Sequence, residues 1–304
     1  MGRFDGQVAI VTGAGGGIGR QHALLLAAEG AAVVVNDYGG DNHGTPGTPA
    51  RAGAVVDEIT GKGGTAVADS SDVAGPGAGE AIVARALNAF GALHIVVNNA
   101  GISGGGTLET ITPRDFDRML AIHLGGTVGV CRAAWPVLRE QGYGRIVNTS
   151  SGSVFGLPGT HAYITAKAAI FGLTRALAHD GKRIDIKVNA VMPVADTRLN
   201  VPAPVIGPLT HAAFPVHQVS PFVGALASRD VPCTGETFVV GGGRAARVVL
   251  ATVPGLVGAG TIEECLARFD EAMATGNMYL PVDAMDEVYY ECRQIGFDPA
   301  TLPA

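Results

Sequence analysis

The chain has 304 residues and a formal charge of −6, from 21 Lys and Arg against 27 Asp and Glu, with 47% hydrophobic residues. With no Lys/Arg-rich stretch and no basic-aromatic interleaving, nucleic acid and acidic membrane surfaces are excluded as expected partners, and a small molecule is left. Cys131, Cys233, Cys265 and Cys292 lie far apart without CxxC spacing, which excludes a disulfide framework or zinc knuckle and points to free thiols in a reducing cytoplasm.

The first residues show no basic-then-apolar signal pattern, and no apolar run reaches membrane-spanning length, so no membrane insertion is expected. Short β-branched runs at 8–11, 32–35, 65–68, 95–98, 145–149, 186–190 and 237–240 read as buried parallel strands. Between them, 18–29, 79–90, 113–138 and 163–179 carry apolar residues at helical spacing. Repeated βαβ units predict an α/β fold: a doubly wound parallel sheet (Rossmann fold) of about seven strands with helices on both faces. Helices predicted over 261–275 and near 283–294 make a helical C-terminal extension. The chain is expected to be a single domain over 1–304, with its core at 5–243 and the extension at 244–304.

After the first strand, Thr12-Gly13-Ala14-Gly15-Gly16-Gly17-Ile18-Gly19 opens a helix. Gly13, Gly17 and Gly19 let the backbone turn tightly and bring bare amides, Ile18 among them, to a pyrophosphate at a positive helix end. Asp37 ends the second strand, 18 residues beyond Gly19, where it can accept hydrogen bonds from both ribose hydroxyls of an adenosine. Its charge repels the extra phosphate of NADP, and Gly16 puts no cation in the loop, so NAD is the expected cofactor. Residues 39–49, rich in Gly and Pro, form a surface loop beside it.

Farther along, Tyr163 and Lys167 stand four residues apart. On a helix they share a face, where a fixed ammonium favours the ionised phenolate, a plausible acid-base device. Prolines at 202, 204, 208, 215 and 221 break the segment 201–221 and mark it as a substrate lid. The histidines have no HxxxH spacing, and no metal site is expected.

With these motifs placed, the chain resembles the short-chain dehydrogenase/reductase family over residues 5–243. The carriers are 12–19, Asn98-Asn99-Ala100-Gly101, Ser150 with Ser151, and Tyr163 with Lys167. Segments 33–41, 122–126, 131–136 and 143–146 resemble most closely the (3R)-hydroxyacyl-CoA dehydrogenase units of peroxisomal multifunctional enzymes and their bacterial relatives. This resemblance implies an NAD-dependent dehydrogenase interconverting a secondary alcohol and a ketone, with a hydroxysteroid or terpenoid alcohol as the alternative substrate. A non-catalytic NAD-binding scaffold or redox sensor is the competing class.

Carried over by position, Asn98 lies near the adenosine ribose with Ala100 in the same wall, and Asp72 and Val73 near adenine. Tyr163 and Lys167 grip the nicotinamide ribose, while Val194 and Thr197, within 193–197, contact the carboxamide. The catalytic serine is ambiguous. Counting back thirteen residues from Tyr163, the family's common spacing, selects Ser150, whereas the strand ending at 149 selects Ser151; strand register outweighs loop length and favours Ser151. His123 stands where most of the family has asparagine, as a relay partner or a packed core histidine. Substrate contacts are expected on 103–107, 154–157 and 194–214, with Arg198 as a candidate for CoA phosphates. Family habit also implies a homodimer or homotetramer.

Overall fold

The computed structural model describes residues 2–41, 47–197 and 206–298. Arg198, half of the 39–49 loop and the start of the Pro-rich segment therefore lie outside the described residues. The chain forms two compact units, Met1–Arg247 and Val248–Ala304.

In the first unit, β1 (Val8–Thr12) is buried at all five positions, because helices cover both faces of a central parallel strand. Then come α1 (Gly17–Ala28), β2 (Ala32–Asn36), α2 (Ala50–Gly61), β3 (Thr65–Asp69), α3 (Ala78–Phe90), β4 (Ile95–Asn98), α4 (Pro113–Leu120) and α5 (Gly126–Glu140). They are followed by β5 (Gly144–Thr149), α6 (His161–Gly181), β6 (Ile186–Pro193), α7 (Ile206–Ala213), α8 (Ser220–Ala227), β7 (Thr237–Gly241) and β8 (Arg244–Val248). The strands lie in the order β3-β2-β1-β4-β5-β6-β7-β8, and every pair from β3 to β7 is parallel.

Alternate residues of β1 feed opposite cores: Ala9 and Val11 pack with Leu26, Val55 and Val223, while Val8 and Ile10 pack with Ile82, Val130 and Leu138. Strand order reverses between β1 and β4, which opens a crevice at their C-terminal ends, where doubly wound sheets take ligands.

The sheet holds eight strands where sequence reading expects about seven. Gly242 and Gly243, at φ +58° and +76°, close a two-residue hairpin that returns the chain as β8. Arg-Ala-Ala-Arg-Val hides this strand because it lacks a branched apolar run, and its charges protect the sheet edge from further pairing. The helix expected over 113–138 is interrupted as well. A five-residue π turn, Ala121–Gly125, separates α4 from α5 and buries His123.

The second unit contains α9 (Ile262–Ala267), α10 (Phe269–Met273) and α11 (Ala284–Gln294). Arg268, at φ −117° and ψ 20°, splits the one helix expected over 261–275. Thr261 and Glu264 form a reciprocal capping box, and Asp283 caps α11 by accepting from the Asp286 N–H. Tyr279 stacks on Tyr290 with ring centroids 4.3 Å apart. Tyr290 is the one buried residue among the described residues of this unit.

Opposite the crevice, the sheet is tied by a buried guanidinium. Arg145 donates from Nε to the Ser228 carbonyl at 3.0 Å, from Nη1 to the Asp185 carbonyl at 2.7 Å and from Nη2 to the Arg229 carbonyl at 3.2 Å. Its planar fork thereby satisfies chain ends that no strand ladder reaches. Arg145→Met is expected to cost about 3 kcal/mol, because those carbonyls lose their donors in a dry site. Urea denaturation measures the loss, and dinucleotide affinity at the other end of the strands stays unchanged.

Candidate functional site

The crevice is an open cleft of about 880 Å³, its mouth included, walled by the glycine turn, the end of β2 and the chain after β4. Gly13, at φ +63°, has no room for a side chain: a Cβ there falls 2.7 Å from the Ala100 Cα. A Cβ on Gly19 falls 2.3 Å from the Gly13 carbonyl oxygen. These two glycines pack the turn against the helix and β4. Gly16 and Gly17 are different, since a Cβ on either meets nothing within 4 Å. Gly16 also gives α1 no side-chain cap. The first amides of α1 stay available to an anion in the cleft, and a pyrophosphate fits this cradle.

Asp37 is 7% exposed and lines the cleft. Its Oδ2 accepts from the Gly15 N–H at 2.8 Å and its Oδ1 from the Gly39 N–H at 2.7 Å. Each carboxylate oxygen keeps a lone pair, so two ribose hydroxyls can still donate to it. Ile18, Asp72, Val73, Ala100 and Thr197 also line the cleft. Asp72 is held by the Ala74 N–H at 3.0 Å.

Two residues expected at the cofactor have polar groups committed elsewhere. Asn98 is buried, and its Nδ2 donates to Asn148 Oδ1 at 2.9 Å and to Cys131 Sγ at 3.2 Å. Strand alternation explains the difference, since Asn98 pairs in register with Asn148 and the next residue faces the other way. Asn99 takes its place in the cleft wall, and its Nδ2 ties the carbonyls of Thr12 and Gly13 at 3.0 and 3.2 Å. The Asn-Asn doublet was the available signal. Val194 spends its N–H on the Val240 carbonyl at 2.8 Å, holding the chain to β7.

Along α6, Tyr163 and Lys167 lie one turn apart and both point inward. Tyr163 packs with Ile102 and Ile122, which also line the cleft. Ser151 lies beside its hydroxyl, close enough to favour the ionised phenol. Ser150 is turned away, 1% exposed, with its Oγ donating to the Lys167 carbonyl at 2.8 Å. The structure thus sets Ser151, rather than Ser150, against Tyr163. Lys167 is 4% exposed and donates from Nζ to the Thr149 carbonyl at 2.6 Å, with Nζ 5.8 Å from the Tyr163 ring centre.

The electrostatics differ from the sequence argument. Burial pulls the Lys167 ammonium down to about 7, and burial pushes the Tyr163 phenol up, against the opposing bond from Ser151. An ammonium spent on a carbonyl and itself costly to charge does not outweigh desolvation of the phenolate. His123, on the π turn, is 2% exposed and meets the Tyr163 ring edge-on at 5.1 Å. Its Nε2 lies within bonding distance of both the N–H and the C=O of Ile102, while Nδ1 has no partner. Burial, and the Lys167 charge behind it, hold this ring well below the ordinary histidine range, so it is neutral.

In or beside the segments expected to contact substrate, Leu108, Phe155 and Leu209 are 75%, 71% and 60% exposed. His161 Nδ1 lies 3.1 Å from the Gly106 carbonyl, tying one expected substrate loop to the start of α6. Among the described residues no cluster of His, Cys, Asp or Glu could hold a metal, and no helix is long and apolar enough to cross a membrane.

A family model described as short chain dehydrogenase matches residues 7–202. A Mycobacterium tuberculosis protein described as a short-chain type dehydrogenase/reductase is 44% identical over 248 residues, covering 80% of this chain and 85% of that protein. The peroxisomal multifunctional enzyme type 2 of Mus musculus is 42% identical over 242 residues, covering 79% of this chain but 32% of its own. The chain therefore spans about a third of that relative. A crystal structure of a short chain dehydrogenase from Burkholderia cenocepacia in complex with NADP superposes with a TM-score of 0.70 at 33% identity, covering 79% of this chain and 98% of that one. The glycine turn, the inward Tyr and Lys of α6 and these matches agree: the chain belongs to the short-chain dehydrogenase/reductase family of oxidoreductases.

Proposed function

We propose that this oxidoreductase uses NAD to interconvert a secondary alcohol and a ketone, most concretely a (3R)-3-hydroxyacyl-CoA. The convergence of Ser151, Tyr163 and Lys167 beside the cleft carries the reading. Bound NAD⁺ supplies the hydride acceptor. Ser151 holds the alcohol oxygen, and Tyr163 takes its proton in oxidation and returns it in reduction. Lys167, anchored on the Thr149 carbonyl, keeps two further N–H donors for the ribose and for the phenolate charge. Because burial raises the Tyr163 phenol, the base form is scarce at neutral pH. Oxidation therefore speeds up as pH rises, and reduction is favoured below that range.

Asp37 supports NAD over NADP. Its carboxylate sits where a ribose phosphate would have to go, already fixed by two amides and needing no rearrangement to repel it. Asp37→Asn keeps the shape and removes the charge. The NAD preference, read as the ratio of kcat/KM values, is expected to fall by about tenfold or more, worth ~1.4 kcal/mol. NADP used as well as NAD by the unaltered protein would contradict the assignment.

For the substrate, the resemblance of segments 33–41 and 122–146 to hydroxyacyl-CoA dehydrogenase units supports the thioester. One observation favours a hydroxysteroid or terpenoid alcohol instead: segments 103–107, 154–157 and 194–214 carry Arg198 as their single Lys or Arg, and Phe155 is exposed among them. Purified protein with NAD⁺ and a panel of (3R)-3-hydroxyacyl-CoAs, hydroxysteroids and terpenoid alcohols, followed by NADH absorbance, separates the two readings. No turnover of any secondary alcohol would leave the scaffold reading.

A further inference from the structure

A serine hydroxyl has one proton and two lone pairs. If Ser151 is to hold a substrate oxygen by donating to it, its own oxygen must be fed by other donors, or the proton has no reason to stay on the substrate side. The structure provides such donors from one residue. Ser151 precedes a short 3₁₀ turn, Gly152–Phe155, and its Oγ accepts from the Ser153 N–H at 3.2 Å. The two hydroxyl oxygens, Ser151 Oγ and Ser153 Oγ, lie 2.5 Å apart. Ser153 therefore reaches Ser151 twice, once with its backbone and once with its side chain. On its other side Ser151 faces the hydroxyl of Tyr163 and favours its ionised form.

Between two hydroxyls, either can donate. Geometry alone does not choose, but the chemistry does. When Tyr163 is the phenolate it can only accept, so Ser151 must donate to it or to the alcohol oxygen beside it. That commits the single Ser151 proton and makes Ser153 the donor of the pair.

We propose that Ser153 is a positioning residue of this reaction: its hydroxyl and its N–H both donate to Ser151 Oγ, which points the Ser151 proton at Tyr163 and the substrate oxygen. The inference rests on the proposed roles of Ser151 and Tyr163. Donation into Ser151 also polarises its O–H, so the row Ser153, Ser151, Tyr163 strengthens the bond that stabilises negative charge on the reacting oxygens. A hydroxyl that served only to shape the turn would affect folding and leave the ionisation of Tyr163 alone.

The test compares Ser153→Ala and Ser153→Thr with the unaltered enzyme, using NAD⁺ and whichever alcohol of the panel is turned over. In Ser153→Ala, kcat for oxidation is expected to fall about three- to tenfold, the usual worth of one hydrogen bond, with KM for NAD⁺ unchanged. The acid limb of its pH profile should move up by about half to one unit. Ser153→Thr, which keeps the hydroxyl, should restore both. Unchanged kcat and pH limb in Ser153→Ala overturns the proposal, and so does an equal loss in both variants, which marks a packing effect. A lack of turnover in the unaltered protein is a failure of the proposed function instead. Ultraviolet tyrosinate absorbance, taken as the difference from Tyr163→Phe, then needs no substrate: Tyr163 should ionise at higher pH in Ser153→Ala, and ionisation at the same pH overturns the assignment.

Discussion

Tyr163→Phe is expected to lower kcat by about 10³-fold in either direction while costing NAD affinity no more than about tenfold, the worth of one ribose hydrogen bond. The substitution deletes one oxygen. The ring keeps its edge-on contact with His123 at 5.1 Å and its packing on Ile102 and Ile122, so the wall of the cleft is unchanged. What disappears is the phenol oxygen proposed to take and return the proton. Single-turnover measurements with NAD⁺ and a secondary alcohol isolate the hydride step from product release. A non-catalytic sensor would give the same dinucleotide affinity and no rate to lose, so turnover in the unaltered protein and its collapse in the variant together decide between the two classes. Turnover that survives the substitution would remove Tyr163 from the mechanism.

Lys167→Met is expected to abolish activity and yet stabilise the fold in neutral and acid solution. Burial depresses the Lys167 ammonium from 10.5 to about 7. Between those values the unfolded chain binds a proton that the native chain does not, so native stability rises with pH across the window. Below about 7 both states carry the charge and the burial cost is felt in full. That cost is on the order of 4 kcal/mol. Methionine escapes it but leaves the Thr149 carbonyl without the Nζ–H now 2.6 Å away, an offset of about 1 kcal/mol. The variant should therefore be more stable by roughly 3 kcal/mol at acid pH, and the advantage should shrink steadily on the alkaline side and turn into a deficit of about 1 kcal/mol above the unfolded value. Chemical denaturation at several pH values measures it. A destabilised variant at acid pH would show that the ammonium is well solvated or paired in the native state. An active site built at the expense of stability is the general pattern for preorganised catalytic charges.

Much of the fold was legible because parallel strands leave a strong trace. Residues 8–11 and 95–98 are apolar or small up to Asn98, and the structure buries β1 and β4 throughout. The β8 hairpin left almost none, since an exposed edge strand needs no apolar alternation and its glycine pair resembles any other turn. The π turn at Ala121–Gly125 was invisible for another reason: no residue type in that stretch marks a widened turn, yet it buries His123 against Tyr163.

At the site, spacing was informative where chemistry is local. Gly13, Gly19 and Asp37 fall where a strand-turn-helix and the next strand end must put them, and Tyr163 and Lys167 share a helix face. Contacts made across the sheet were harder. Asn98 and Asn99 are adjacent in sequence, and which of them enters the cleft depends on the register of β4 with β5. Ionisation was hardest. Four-residue spacing places an ammonium near a phenol, but burial of both, unreadable from the chain alone, reverses the expected direction for Tyr163. Ser153 was missed because nothing in a run of small residues marks which hydroxyl faces which.

In the proposed reaction a hydride leaves the carbon of an alcohol held by Ser151 and Tyr163 and arrives on a nicotinamide ring. The direct measurement uses a secondary alcohol deuterated at the carbinol carbon, NAD⁺ and the unaltered protein, with mass spectrometry of the reduced dinucleotide. Deuterium is expected on the nicotinamide ring and none in water, with the label absent when Tyr163→Phe replaces the enzyme. Deuterium released to solvent, or equal labelling in the Tyr163→Phe variant, would contradict it.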